Sequence, residues 1–177
     1  MTTINPMKKQ EIPAIFVLYR NAFPRSERKP FGIILRMTKE GRADLWTIRH
    51  NGRFAGFAAT VNAPELILLD YFAVKKSLRG QGVGFAGLRQ IEGKYHDRGF
   101  FIEIESTFED APNREQRDKR KKFYVNCGMI PMGTEADVFG IRMELLGVRC
   151  HLDFEAYRNF YGEHYSPWAA EHIKEIL

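Results

Sequence analysis

The chain has 177 residues, 44% of them hydrophobic and 28% charged, with a formal net charge of +5. That length suits a single domain burying roughly 70% of its unfolded surface. No apolar run approaches the roughly 18 to 20 residues of a membrane span, the N-terminus lacks a signal-peptide core, and Cys127 and Cys150 form neither a metal-ligand spacing nor a disulfide framework. The expectation is a cytoplasmic protein with no membrane partner and no metal.

Met7 to Phe23 carries Ile12, Ile15, Phe16, Val17, Tyr19 and Phe23 on a mostly helical period, with Pro13 suited to a first turn. Pro24 stops that helix. Residues 23–30 form a polar connector, and a short helical stretch runs through Met37 to a stop at Gly41. From Asp44 the period becomes that of strands. Leu45 to Arg49 and Arg53 to Val61 flank His50-Asn51-Gly52, and Asn-Gly between apolar runs predicts a hairpin. Residues 62–65 turn the chain into an apolar strand ending at Val74.

Arg79-Gly80-Gln81-Gly82-Val83-Gly84 leads next into a helix whose Val83, Gly87, Ile91 and Tyr95 form one stripe, with Gly87 permitting close approach to the sheet and Gly99 placed as a C-terminal cap. Phe100 to Glu105 alternates strictly, so Phe101, Glu103 and Glu105 share a face opposite Phe100, Ile102 and Ile104. Residues 110–113 open a cationic helix to about Asn126, stopped by Gly128. Residues 129–133 and 138–146 read as two further strands. Beyond Gly147, residues 154–161 are weakly helical, and Ser166-Pro167 suits the start of a last helix through Leu177, whose Trp168, Ile173 and Leu177 need cover.

The junction after Val74 carries the strongest chemical signal. A helix beginning near Gln81 leaves its first four N–H groups unpaired and concentrates partial positive charge there. Glycines at 80, 82 and 84 let an anion approach the main chain, and Arg79 adds a fork of donors, so the segment reads as a phosphate cradle. The nucleoside-triphosphate string G-x-x-x-x-G-K-[ST] is absent. Gly82-Val83-Gly84-Phe85-Ala86-Gly87 matches G-x-G-x-x-G, and Glu103 stands where a dinucleotide fold places its ribose-binding acid, so an oxidoreductase is a competing reading. The predicted hairpin and the insertion of Lys75 to Arg79 between strand and first glycine count against it. Much of the positive charge sits in Arg114 to Lys122, spread around a helix. A solvated helix face accounts for it, and no nucleic-acid motif accompanies it.

The register R-x-x-G-x-G at Arg79 to Gly84, preceded by a strand ending in Ala73-Val74, resembles the acetyl-CoA signature of the GCN5-related N-acetyltransferase (GNAT) superfamily. Phe123-Tyr124-Val125-Asn126-Cys127-Gly128-Met129 resembles that superfamily's FY-x-x-x-G-F segment, in the same order and separation. The resemblance covers roughly residues 3 to 146. It implies an α/β (α+β) fold with a mixed, mostly antiparallel central sheet of about six to seven strands flanked by helices. The domain is expected over 1–146, with residues 147–177 as a helical extension packed on it.

The resemblance further implies acetyl-CoA as acyl donor and a small-molecule or peptide amine as acceptor. Main-chain groups of Phe72, Ala73 and Val74 are expected to hold the pantetheine arm, and Arg79, Gly80, Gln81, Gly82, Val83 and Gly84 the diphosphate. Tyr124 matches the family tyrosine beside the CoA sulfur and suits a proton donor. For a base the chain offers Glu105 and Glu103, whose mutual repulsion could raise one pKa, with Glu105 favoured at the carboxyl end of its strand. Deprotonation of the acceptor through water is the alternative. Glu27 and Asp70 are the candidates for contacting the acceptor, and Glu27, Glu103 and Glu105 suggest that it is electropositive. Where family members show an Asn seven residues before the tyrosine this chain has Arg117, so either Arg117 contacts a phosphate or Asn113 reaches the cofactor from one turn earlier. A non-catalytic acyl-CoA-binding module of the same fold stays open, and homodimerisation is compatible with the sequence.

Overall fold

The computed structural model describes residues 1–176 and resolves into two compact units. The first comprises residues 1–62 and 67–96, the second residues 63–66 and 97–177. Eight strands occur among the described residues, flanked by helices, and the strand pairings within each unit are antiparallel. The fold is the mixed, mostly antiparallel α/β arrangement the sequence implied, with strands added at both ends.

In the first unit the strands run in the order β1 (Thr2–Pro6), β2 (Ala43–His50), β3 (Arg53–Asn62) and β4 (Leu66–Val74). Strand β1 is unexpected. Its five residues lack an apolar alternation and are specified by pairing with β2, Thr2 opposite His50 through Pro6 opposite Trp46. The β2–β3 hairpin turns at Asn51 and Gly52, both in the left-handed region at φ 50° and 76°, as a tight two-residue turn requires. Strand β3 is buried from Ala55 to Val61 because helices cover both its faces.

On one face lie α1 (Ile12–Ala22), with Pro13 in its first turn, and α2 (Phe31–Lys39). Ile15, Tyr19 and Ile34 pack there with Leu45, Phe57, Ala59, Tyr71 and Ala73. Helix α3 (Val83–Lys94) covers the opposite face, its stripe of Val83, Gly87 and Ile91 fully buried. A Cβ at Gly87 would lie 3.2 Å from Ile48 Cδ1, the close approach its place on the stripe predicted. Tyr95 follows and ties the helix end to the sheet. Its hydroxyl accepts from Trp46 Nε1 (3.0 Å), donates to Asp44 Oδ2 (2.7 Å) and meets Thr60 Oγ1 (2.8 Å).

An irregularity in β4 sets the geometry of the α1–α2 connector. Ala59 pairs with Tyr71 and Thr60 with Leu69, so Asp70 is an extra residue in a bulge. Successive residues of a regular strand point to opposite faces. Here Asp70 and Tyr71 both reach residues 27–29: Lys29 Nζ lies 2.5 Å from Asp70 Oδ1, the Tyr71 hydroxyl accepts from Lys29 N (3.0 Å) and donates to Glu27 O (2.9 Å), and Tyr19 Oη donates to Lys29 O (2.7 Å). Burial pushes the Tyr19 hydroxyl up to about 12 and Tyr71 higher still, so both remain donors across the neutral range.

The second unit orders its strands β5 (Gly99–Glu105), β7 (Ile141–Val148), β6 (Ile130–Val138) and β8 (Ile173–Glu175). Its helices are α4 (Arg114–Asn126), α5 (Phe154–His164) and α6 (Pro167–Glu171). Three expectations need correction. Gly99 does not cap α3, which ends at Lys94. It begins β5, where an added Cβ would come within 2.7 Å of Cys150 Cβ and 2.8 Å of Leu66 Cδ2. The β6–β7 turn falls at Phe139-Gly140, both at positive φ, so residues 134–137 belong to the strand. The last helix stops at Glu171 and gives way to β8, whose Ile173 is buried against Val138 in register, while Leu177 lies outside the described residues. Ser166 does cap α6, accepting from Ala169 N. Helix α5 packs on β5 through Tyr157 and Phe160 against Phe101.

Removing the Tyr71 hydroxyl deletes its hydrogen bonds to Lys29 N–H and Glu27 C=O while leaving the ring in place. Tyr71→Phe is therefore expected to cost about 1–3 kcal/mol, read as a lowered urea midpoint with an unchanged denaturant slope. An unaltered midpoint would show that the connector is not held by this contact.

Candidate functional site

The glycine segment of the first unit has the geometry an anion requires. After β4 the chain makes a short 3-10 turn at Lys76–Leu78 and enters α3 through Gly80 (φ 76°) and Gly82 (φ 75°). Gly82 is the N-cap residue, and both glycines occupy the left-handed region that side chains with a Cβ rarely adopt. The first helical bond runs from Ala86 N to Gly82 O (3.0 Å), so the amides of residues 82–85 have no backbone acceptor among the described residues. A Cβ at Gly80 or Gly82 would meet nothing within 4 Å. Amides without backbone acceptors at the positive end of a 12-residue helix, behind an exposed Gly82, form a cradle that fits a diphosphate.

The flanking residues are ordered by the same turn. Arg79 Nε donates to Val74 O (3.2 Å), fixing the guanidinium at the strand end, and Gln81 Nε2 donates to Ser77 O (2.9 Å). Val83 is fully buried and roots the turn in the core, whereas Gln81, Gly82 and Arg79 are exposed. Phe72, Ala73 and Val74 pair along one edge of β4 with Ala58, Phe57 and Gly56. Between α1 and this turn lies an open cavity of about 990 Å³, bordered by Val17, Asn21, Phe54, Lys75, Lys76 and Arg79.

In the second unit the structure brings Glu105, Asn113, Arg117 and Arg120 together. Arg117 NH2 lies 3.1 Å from Glu105 Oε1 and Arg120 NH1 2.8 Å from Oε2, while Asn113 Nδ2 donates to Oε1 at 3.1 Å. Burial pushes the Glu105 carboxyl upward, but the Asn113 and Arg120 hydrogen bonds and the charges of Arg120 and Arg117 outweigh it and hold the group below its ordinary value. The expected repulsion with Glu103 does not set either residue's surroundings. Glu103 accepts instead from the hydroxyls of Tyr157 and, at 2.6 Å, Tyr161 on α5. Sequence reasoning had no signal for that pair, because the tyrosines lie more than fifty positions downstream and only the fold of the tail delivers them.

Arg117 departs furthest from expectation. It is buried, and its donors are spent within the unit on Asn113 Oδ1 (2.9 Å), Ser106 O (2.9 Å), Glu109 Oε2 (3.1 Å) and Glu105. That arrangement makes it an organiser of the loop before α4 rather than a surface cation presented to a phosphate. Asn113 likewise turns both ends of its amide inward, to Glu105 and Arg117. Most of the cationic run is neutralised in the same manner: Lys121 Nζ sits 2.6 Å from Glu144, and Arg114 and Lys119 pair along the helix with Asp118 and Glu115.

Tyr124 lies on the buried side of α4, its ring edge-on to Phe123 at 5.1 Å between centroids. Its hydroxyl has no hydrogen-bond partner among the described residues. Burial drives the phenol above its ordinary pKa, partly opposed by the Arg120 charge, so it holds its proton at neutral pH. Of the acceptor candidates, Asp70 is taken up by Lys29, and Glu27 lends its carbonyl to Tyr71. Among the described residues no group of three or more His, Cys, Asp or Glu side chains could hold a metal ion, and no helix is long and apolar enough to cross a membrane.

These features coincide with a known pattern. Residues 12–129 match the model of the acetyltransferase (GNAT) family, and the chain belongs to that family. Solved structures share the fold. An acetyltransferase described as a GNAT member from Bacteroides thetaiotaomicron superposes with a TM-score of 0.70 at 19% identity, over 92% of this chain and 94% of that one. The ribosomal-protein-S18-alanine N-acetyltransferase of Escherichia coli gives 0.65 at 17%, over 86% and 96%. A spermidine N-acetyltransferase from Vibrio cholerae, solved with CoA and spermine, gives 0.66 at 9%, over 83% and 94%. No curated protein sequence matches this chain significantly.

Two tests follow from this geometry. Gly82→Val puts a β-branched side chain at φ 75° and a Cβ in the space before the amides. It is expected to abolish CoA binding by calorimetry while the melting transition stays cooperative, and normal affinity in the folded variant would refute the cradle. For Glu105 the folded pKa is depressed, so its contribution to stability is complete above the unfolded value of about 4.3 and is lost as pH falls through the folded value. Glu105→Gln should therefore flatten the acid limb of the stability profile as pH falls below about 4.3. An identical limb in wild type and variant would show that the ion pairs contribute nothing.

Proposed function

We propose that the protein is an acetyl-CoA-dependent N-acetyltransferase acting on the primary amine of a small molecule or peptide by direct transfer, with donor and acceptor held at the same time. The observation that carries this reading is the start of α3, where the chain enters through two left-handed glycines and the amides of residues 82–85 have no backbone acceptor among the described residues. Charge-assisted hydrogen bonds of this kind contribute roughly 1.5–3 kcal/mol each, enough for a few of them to seat a diphosphate. When bound, acetyl-CoA supplies the activated acetyl group as a thioester.

The chain's own residues have distinct tasks in this reading. Gly80 to Gly84 and the free end of the Arg79 guanidinium hold the diphosphate. The main chain of Phe72, Ala73 and Val74, on the edge of β4 away from β3, orients the pantetheine arm and directs amide donors at the carbonyl oxygen, where such donors are worth about 2.7–4 kcal/mol. Tyr124 keeps a proton on Oη for the departing sulfur. Its raised pKa and partnerless hydroxyl support that role, since a phenol engaged by another protein group or ionised at pH 7 could not deliver it.

The amine nitrogen attacks the carbonyl carbon as the carbon–sulfur bond breaks, and the proton that nitrogen sheds must reach solvent. Glu105 is ill suited to collect it. Two arginines and an asparagine already stabilise its anion and weaken it as a base, so it serves to position Asn113 and Arg120 on α4. Removal of that proton through water fits the committed state of the carboxylates better.

Tyr124→Phe keeps the ring and deletes the proton. The expected result is a kcat lowered roughly 100-fold or more with little change in CoA affinity, measured by a thiol-release assay and calorimetry on the same preparation. Unchanged turnover would remove Tyr124 from the mechanism.

A further inference from the structure

The α1–α2 connector borders a second cavity, distinct from the glycine turn, of about 330 Å³. Its walls are the rings of Phe16, Tyr19 and Phe31, packed on one another at centroid separations of 5.2 Å (Phe16 and Phe31) and 5.4 Å (Tyr19 and Phe31). Its charged groups are Arg20, Arg25, Arg28 and Lys29, and no carboxylate lines it. Lys29 is neutralised by Asp70. The three arginines have no carboxylate partner among the described residues, in contrast to the paired cations of α4. Arg20 lies over the Phe16 ring at 5.8 Å. The Nε of Arg28 is buried with no hydrogen-bond partner among the described residues, an arrangement that costs stability unless a ligand offsets it.

We infer that this cavity seats the anionic oxyacid group, carboxylate or phosphate, of a small molecule with an aromatic or apolar body, and that this molecule is the acceptor amine. Three observations converge on it. Guanidinium forks match the two-oxygen geometry of such groups. The aromatic walls accept the apolar remainder of the molecule. The cavity lies at the small end of ligand pockets, whose usual range is about 300–1,000 Å³, and so fits a molecule of amino-acid size. It is also preorganised, because Tyr19, Tyr71 and Asp70 pin residues 27–29 to β4 before any ligand arrives. The electropositive acceptor suggested by Glu27, Glu103 and Glu105 loses support, because Glu103 and Glu105 are held by partners of their own and the charged groups of this cavity are cationic.

Identification of the bound molecule as the acceptor rests on the acetyl-transfer reading, and the test separates the two. Binding is measured first, by calorimetry with 3-phenylpropionate and with phenyl phosphate, neither of which has an amine to acetylate. Wild type should bind at least one of them, the preferred probe distinguishing carboxylate from phosphate, and Arg28→Gln should weaken that binding at least tenfold. Arg20→Gln, at an exposed position, repeats the comparison should Arg28→Gln fail to fold. Turnover is then compared for phenylalanine against phenethylamine and for phosphoethanolamine against ethanolamine. In at least one pair the anionic member should have a kcat/KM at least tenfold higher, with the advantage collapsing toward one in the arginine variants. Neither probe binding to folded wild type, or neutral amines turned over as well as their anionic partners, overturns the inference while leaving acetyl transfer intact. Anion binding that depends on Arg28, with no amine acetylated, upholds the site and overturns its assignment to an acceptor.

Discussion

Helix α3 begins on a glycine with φ of 75°, and the amides of residues 82–85 must find their acceptors outside the helix. That constraint organises the first unit. Val83, Gly87 and Ile91 lock the helix onto one face of the sheet, Tyr95 fastens its far end to Asp44, Trp46 and Thr60, and Arg79 holds the terminus of β4. The rigid parts all lie behind the turn, and its exposed side is main chain. A site built this way recognises charge and shape through the backbone, and is insensitive to most side-chain changes around it except those that restore a Cβ.

The second unit handles charge in the opposite manner. Its carboxylates are consumed: Glu103 by two tyrosines, Glu105 by Asn113, Arg117 and Arg120, Glu144 by Thr107 and Lys121, and Glu135 by Arg142 and Ser106. Burial pushes the Glu105 and Glu135 carboxyls upward, but the hydrogen bonds and charges of these partners outweigh it and hold both below the ordinary carboxylate range, which weakens them as bases. Tyr124 contrasts with them, a buried phenol whose hydroxyl has no hydrogen-bond partner among the described residues. In the first unit, Arg20, Arg25 and Arg28 gather around Phe16, Tyr19 and Phe31 with no carboxylate partner among the described residues. A buried polar group without a protein partner, as at Arg28 Nε among the described residues, has its natural counterpart in a ligand.

The legible parts of the fold were those set by local physics. The Asn51-Gly52 hairpin, Pro13 at a helix start, the α3 stripe and the glycine cradle follow from backbone preferences and periodicity that a single segment carries. What was not legible depended on distant partners. Strand β1 has no pattern of its own and exists because β2 offers an edge, and β8 interrupts an apparent helix because Val138 gives Ile173 a place to bury. Likewise Glu103 and Glu105 read as a repelling pair because strict alternation puts them on one face. Their separate partners arrive from α5 and α4. The Asp70 bulge is a further case: a one-residue slip that no composition signals redirects an acid from the expected substrate toward Lys29.

Calorimetric titration of the wild-type protein with CoA and, separately, with NAD tests the central claim most directly, since both carry a diphosphate and only one belongs to this family's chemistry. Saturable heat with CoA and none with NAD is the predicted result. Saturable heat with NAD, or silence with CoA from protein that melts cooperatively, would contradict the assignment of the α3 amides to coenzyme A.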